Sequence, residues 1–188
     1  MEPFRILARL FLLSSGLIVC IVPSTSTDRF TLPPLNRQVL SPNHKYILSI
    51  KSLDHWKTPR SVLDMVYVER DGSTRQVWHR RIAHKYGPRL TFVSDSGRVL
   101  MLDEYEPTVT DRAITLLDID GNQVVSYSTQ QVLTVMGKDL GQTLDSSTNG
   151  WWISGSPTFS SNQKELIVGT ANGYLNINLL DGRLQFIR

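Results

Sequence analysis

The sequence has a single cysteine, Cys20, and it falls inside an apolar run near the N-terminus. If that run is a removed targeting segment, the mature chain carries no thiol, which excludes disulfides, zinc-thiolate centres and cysteine nucleophiles. Basic residues are equally thin. No run is denser than HRRIAHK (His79 to Lys85), and the formal charge is only +3. A dedicated nucleic-acid binder would show a denser basic stripe. Apolar runs are short as well: Leu10 to Val22 holds 13 uncharged residues, against the roughly 20 of a membrane-spanning helix. No Gly-x-Ser-x-Gly elbow is present. The nearest stretch, GWWISGSPTF, has Pro157 directly after Ser156 and no helical pattern beyond it, so the serine-hydrolase template fails. His44, His55, His79 and His84 lack the spacing of helical metal-binding pairs and are expected to be solvated.

What is present begins with an export signal. Residues 1–27 carry Arg5 and Arg9, then the apolar run, then Ser24 and Ser26 at a spacing suited to cleavage. Cys20 fits a lipoprotein acceptor poorly, because bulky Val19 precedes it. The expectation is export to the periplasm or the extracellular space, with the segment cleaved or retained as an anchor through residues 6–22. The remaining 28–188 suffice for one domain, and 40% hydrophobic residues allow a packed core.

Residues 28–40 read as an extended lead-in, since Pro33-Pro34 excludes a helix. Three units follow, at about 41–81, 90–136 and 151–188. Each starts with a serine, a polar turn and a basic residue (SPNHKYILSI, SDSGRVLMLD, SSNQKELIVG) and then enters an apolar run. Each later has Asp-Gly between two strand-like runs: Asp71-Gly72, Asp120-Gly121 and Asp181-Gly182. The glycine lies 31, 27 and 22 residues after the serine, so the elements keep their order while the links shorten. The alternation in SVLDMVYVER and YLNINLL is that of β-strands, and the apolar centre of the first suits a strand buried on two sides. Asp-Gly between such runs is a hairpin signal, because glycine accepts a positive φ. DIDGN does open like a calcium loop, but the twelfth position from Asp118 is Thr129, not Glu. One short helix is expected at 129–136, capped by Ser128 with Gln131 at its third position and stopped by Gly137. WWISGSPTFS re-enters as a strand, with Trp151 and Trp152 on opposite faces.

Serine, polar turn, basic residue and apolar strand, then a strand, Asp-Gly and a return strand: this order resembles the blade repeat of WD40-like (PD40-type) β-propellers. The stretches FVSDSGRVLMLDEY, AITLLDIDGNQVVSYSTQQVL and ELIVGTANG also resemble exported bacterial proteins of unknown function. The resemblance covers roughly 41–188 and implies an all-β, mainly antiparallel fold. Three units of about three strands each fall short of a closed ring of four or more blades, so open blades or a sandwich are expected.

Chemistry-bearing residues are few. Asp103, Glu104, Glu106 and Asp111 fall in an acidic link between two strands. They are weak candidates for a hard-cation site, with a solvated loop as the simpler expectation. Asp103 stands where the other units have Ile50 and Gly169, and a local departure from a repeat points to function. Trp56, Asp103, Tyr105 and Trp152 form the candidate ligand-binding set, with Trp78, Trp151 and Tyr67 as further aromatics that core packing would absorb. No cofactor and no catalytic residue is indicated. The expectation is a non-catalytic binding module, its long varied links meeting a protein, small molecule or glycan. Nucleic acid is not expected as a partner. Contact with a membrane is expected only through the N-terminal segment. One alternative is a homo-oligomer that pairs exposed strands. Another is a hydrolase, which requires a buried, pKa-shifted acid pair including Asp103.

Overall fold

The computed structural model describes residues 31–106, 108–139 and 152–188. The expected export signal and Trp151 lie outside them. Among the described residues, twelve strands form three four-stranded sheets. Sheet 1 holds β1 (Asn36–Leu40), β2 (Tyr46–Ser52), β3 (Ser61–Val68) and β4 (Thr74–Ile82). Sheet 2 holds β5 (Pro88–Val93), β6 (Val99–Glu104), β7 (Ile114–Leu117) and β8 (Gln123–Tyr127). Sheet 3 holds β9 (Thr158–Phe159), β10 (Glu165–Thr170), β11 (Gly173–Asn178) and β12 (Leu184–Ile187). Each sheet is a meander whose strands pair antiparallel in chain order. The chain is therefore all-β and mainly antiparallel, as the sequence implies. Each unit has four strands rather than three. The lead-in supplies β1 as the missing strand of sheet 1. Of the described residues in the WWISGSPTFS stretch, only Thr158–Phe159 are strand.

The single helix among the described residues, α1 (Thr129–Val135), has the expected cap: Ser128 Oγ accepts from Gln131 N–H, and the Gln131 side chain accepts from Ser128 N–H. Gly137 stops it at φ +68. Among the described residues no helix is long and apolar enough to cross a membrane.

Period-two alternation explains how the sheets stack. On β6, Val99 and Met101 join Leu48, Ile50, Leu63, Met65 and Trp78 in one core. Leu100 and Leu102 join Val132, Leu133, Leu166, Val168, Leu175 and Ile177 in another. Neighbouring residues on one strand thus feed two cores, which places sheet 2 between sheet 1 and sheet 3. Each such side chain contributes about 1.5–3 kcal/mol on full burial. Two-sided burial falls on β6 and β7, both wholly buried. It does not fall on β3, whose Asp64 and Val66 lie on an outer face. There the middle sheet's apolar residues give way: Leu102 is matched by Ser49 in sheet 1, and Leu117 by Asn178 in sheet 3.

Strand direction then sorts the connections to two ends. At one end lie six short turns. In each serine turn the hydroxyl accepts a backbone N–H at the start of the next strand: Tyr46 to Ser41 at 3.0 Å, Arg98 to Ser94 at 3.0 Å and Glu165 to Ser160 at 3.1 Å. Asp95 Oδ1 accepts from Asn43 N–H at 2.7 Å, and Asp95 N–H donates to Gln163 Oε1 at 3.4 Å, so the three serine turns are stitched together. Each Asp-Gly is also a turn, and Gly72, Gly121 and Gly182 have φ of +84, +77 and +75. The loops around Gly72 and Gly121 have three residues, with the glycine last, so each is a turn closed by a left-handed residue rather than a two-residue hairpin. The opposite end collects the long connections, residues 53–60, 83–87 and 105–113, the start of α1 and the segment entering β9, together with one further short turn, 171–172 between β10 and β11.

Candidate functional site

The link end gathers Trp56, Asp103, Tyr105 and Trp152, but in roles the sequence did not assign. Asp103 and Glu104 end β6 and are both 5% exposed. The expected solvated acidic loop is therefore corrected. The apolar strand carries both carboxylates inward, and β5 and β7 flank them. Asp103 has φ +53, uncommon for a residue with a side chain, and its N–H donates to Ala113 O at 2.9 Å. Burial pushes its carboxyl up from the usual 3.8 to about 7. The indole N–H of Trp152 and the Arg89 guanidinium work against that rise, and Glu104 adds to it. The Trp152 contact is weaker than a well-formed hydrogen bond, because Nε1 meets no acceptor with good geometry among the described residues. Glu104 has its own cation: Arg112 Nη1 lies 3.4 Å from Oε1.

Trp152 is 4% exposed and packs in the core between sheets 2 and 3, so it supports the site from below rather than facing a ligand. Trp56 is 6% exposed; its Nε1–H donates to Pro33 O at 2.8 Å, and its ring meets Tyr86 edge-on with centroids 5.8 Å apart. Both tryptophans therefore pack, and neither is an exposed binding face. Tyr105 is half-buried, its N–H bonded to Gly87 O at 2.9 Å, with the Arg37 guanidinium over its ring at 5.2 Å. Arg37 reaches from β1 to donate to Pro88 O at 2.9 Å and Tyr86 O at 3.4 Å, fastening sheet 1 to the start of sheet 2.

One open space at this end lies near Asp103. Arg89 and Leu90 of β5 face residues 153–157 across a cleft of about 550 Å³. Ser154 and Ser156 place hydroxyls there, and Ser154 N–H is fixed to Gly169 O at 2.8 Å. Gly155 and Gly169 touch backbone to backbone, so this wall of the cleft follows β10 closely. Burial lowers the pKa of Arg89, and the nearby Asp103 and Tyr105 raise it. Arg89 thus links the cleft to the buried carboxylate behind it. Sequence reading missed Arg37, Arg89 and Arg112. Their signal was weak but present: in each case an arginine breaks an otherwise apolar or extended stretch.

The metal alternative finds no site. Asp103, Glu104, Glu106 and Asp111 do not converge, and among the described residues no three His, Cys, Asp or Glu are placed to hold an ion. Of the histidines, His84 departs from the solvated expectation, while exposed His79 has a carboxylate partner. His79 lies opposite Asp64 in the β3–β4 register, and Nδ1 is 2.5 Å from Oδ1, with Lys51 Nζ 2.9 Å from the same carboxylate. His84 is 2% exposed, and burial, then Arg112, lowers its pKa from 6.5 to about 4.

No family model matches the chain, and no curated protein matches it.

Proposed function

We propose that this is an exported, non-catalytic binding module, built from three blades like those of PD40-type propellers, that holds its ligand in the link-end cleft. The observation that carries the reading is the division between the two ends. Six short turns, interlocked by hydrogen bonds, make one end rigid and repetitive. The other end carries the varied links and the cleft of about 550 Å³. Binding residues concentrate on links held by such a scaffold. Arg89 offers a planar set of donors, and Ser154 and Ser156 offer hydroxyls, all on a wall pinned to β10. That chemistry suits the polar edge of a glycan or of an extended peptide. Asp103 sits behind Arg89 and tunes its charge instead of meeting the ligand.

A screen of glycans and short peptides against the full chain tests this reading. Bound ligands should lose at least about tenfold in affinity with Arg89→Ala, the loss of a charge-assisted contact. Arg75→Ala, at the turn end, should leave binding intact. Equal effects of the two substitutions would remove the reading.

A hydrolase is the second reading, favoured by the buried Asp103 and Glu104 with one carboxyl raised to about 7. Its weakness is geometric. The two acids neighbour each other along one strand, and each has its own arginine, which is how structural ion pairs are arranged. Asp103→Asn would abolish turnover of any substrate on this reading and would leave binding measurable on the first.

A further inference from the structure

We propose that a second cleft, between sheets 1 and 2 and away from Ser154 and Ser156, binds a small oxyanion: a phosphate group, free or carried on a small molecule. The cleft has a volume of about 240 Å³. Arg80, Arg81 and His84 line one wall. Arg112, Thr115 and Gln123 line the other. At about 30 Å³ per water, it holds one phosphate group with several waters.

Charge is the first ground. Arg80 donates to the backbone carbonyls of His79 at 3.0 Å and Asp120 at 3.1 Å, so its positive charge meets no carboxylate there. The Arg81 side chain makes no hydrogen bond or ion pair among the described residues. Arg112 alone has an acidic partner, Glu104, at 3.4 Å. Three guanidinium groups thus share one carboxylate. An adjoining hollow of about 380 Å³ adds Arg60 and Lys85, neither ion-paired among the described residues. Such a cluster repels itself and gains from a bound anion, and guanidinium matches phosphate in shape.

His84 is the second, independent ground. It is 2% exposed, yet Nε2 has no hydrogen-bond partner among the described residues. A buried polar atom left unpaired costs about 1–3 kcal/mol. Burial, and then Arg112 on the facing wall, holds the ring neutral. An oxyanion seated among the arginines would accept from Nε2–H and offset the Arg112 charge together. The buried imidazole and the unbalanced arginines call for the same ligand.

Histidine-labelled full chain, titrated with sodium phosphate at constant ionic strength, tests the site by NMR. The His84 ring resonances should move and saturate, while those of exposed His44 and His55 stay in place. Sodium chloride should not reproduce the shift. The surface double variant Arg80→Gln, Arg81→Gln, checked for native circular dichroism, should weaken phosphate binding by about tenfold or more. Methyl phosphate binding tighter than inorganic phosphate would assign the site to a phosphomonoester. The reverse order would assign it to the free ion. A still His84 resonance, an equal response to chloride, unweakened binding by the double variant, or binding of a short oligonucleotide without binding of phosphate would each overturn the proposal.

Discussion

Trp78 of β4 lies over Gly121 of the next sheet's Asp-Gly turn. A methyl group built on Gly121 would come within 2.7 Å of the indole, whose Nε1–H donates to Ile119 O at 2.8 Å. Gly182 is covered in the same way by Val125 of sheet 2. Gly72 has the same left-handed φ with nothing within 4 Å. One residue type in one repeat position is therefore held by conformation alone at the first turn, and by conformation plus contact at the other two. Gly72→Ala should cost about 1 kcal/mol, the left-handed penalty of an L-residue. Gly121→Ala and Gly182→Ala should cost roughly 1–3 kcal/mol more, through overpacking. Urea unfolding of the three variants measures the difference, and equal losses would deny the stacking of turn on strand.

The two perturbed groups pull stability in opposite directions with pH. Asp103 has a folded pKa raised from 3.8 to about 7, so its contribution is complete below pH 4 and is lost as pH rises through 7. His84 has a folded pKa lowered from 6.5 to about 4, so its contribution is complete above pH 6.5 and is lost as pH falls towards 4. Each spans roughly 3–4 kcal/mol at 1.36 kcal/mol per pH unit. Between pH 4 and 6.5 the two slopes nearly cancel, and a gentle fall follows up to pH 7. Asp103→Asn should expose a stability that climbs with pH across that window. His84→Gln should expose one that declines. Parallel slopes in the two variants, followed by denaturant unfolding, would contradict the burial of these groups.

Arg37 clamps two carbonyls, 49 and 51 residues further along the chain, and also covers Tyr105. A lysine keeps the charge but cannot span both acceptors. Arg37→Lys should lose about 2 kcal/mol, two net hydrogen bonds at 0.5–1.5 kcal/mol each. Proteolysis should then quicken first in residues 83–87, where sheet 1 hands over to sheet 2. Unchanged cleavage there would show that the clamp does not hold the junction.

Local signals in the sequence proved the most legible. The serine turns, the three Asp-Gly turns and the Ser128 cap each depend on a few neighbouring residues, and each forms where the sequence places it. β1 was harder to see, because NRQVL is a mostly polar edge strand whose partner is known only once β2 is placed. β9 has only two residues. The site was less legible for a related reason. Asp103 and Glu104 look solvated in LDEYEP, and their burial depends on Trp152, Arg89 and Arg112, brought from elsewhere by sheet stacking. His79 and Asp64 meet through register, fifteen residues apart. The departure of Asp103 from the repeat falls beside the cleft, whose lining there comes from Arg89 rather than from Asp103.

Amide-shift mapping of a bound glycan or peptide on the isotopically labelled full chain bears most directly on the division between the two ends. The largest shifts should fall at residues 89–90 and 153–157. Shifts centred on the interlocked turns at 41–45, 94–98, 118–122 and 160–164 would contradict the account.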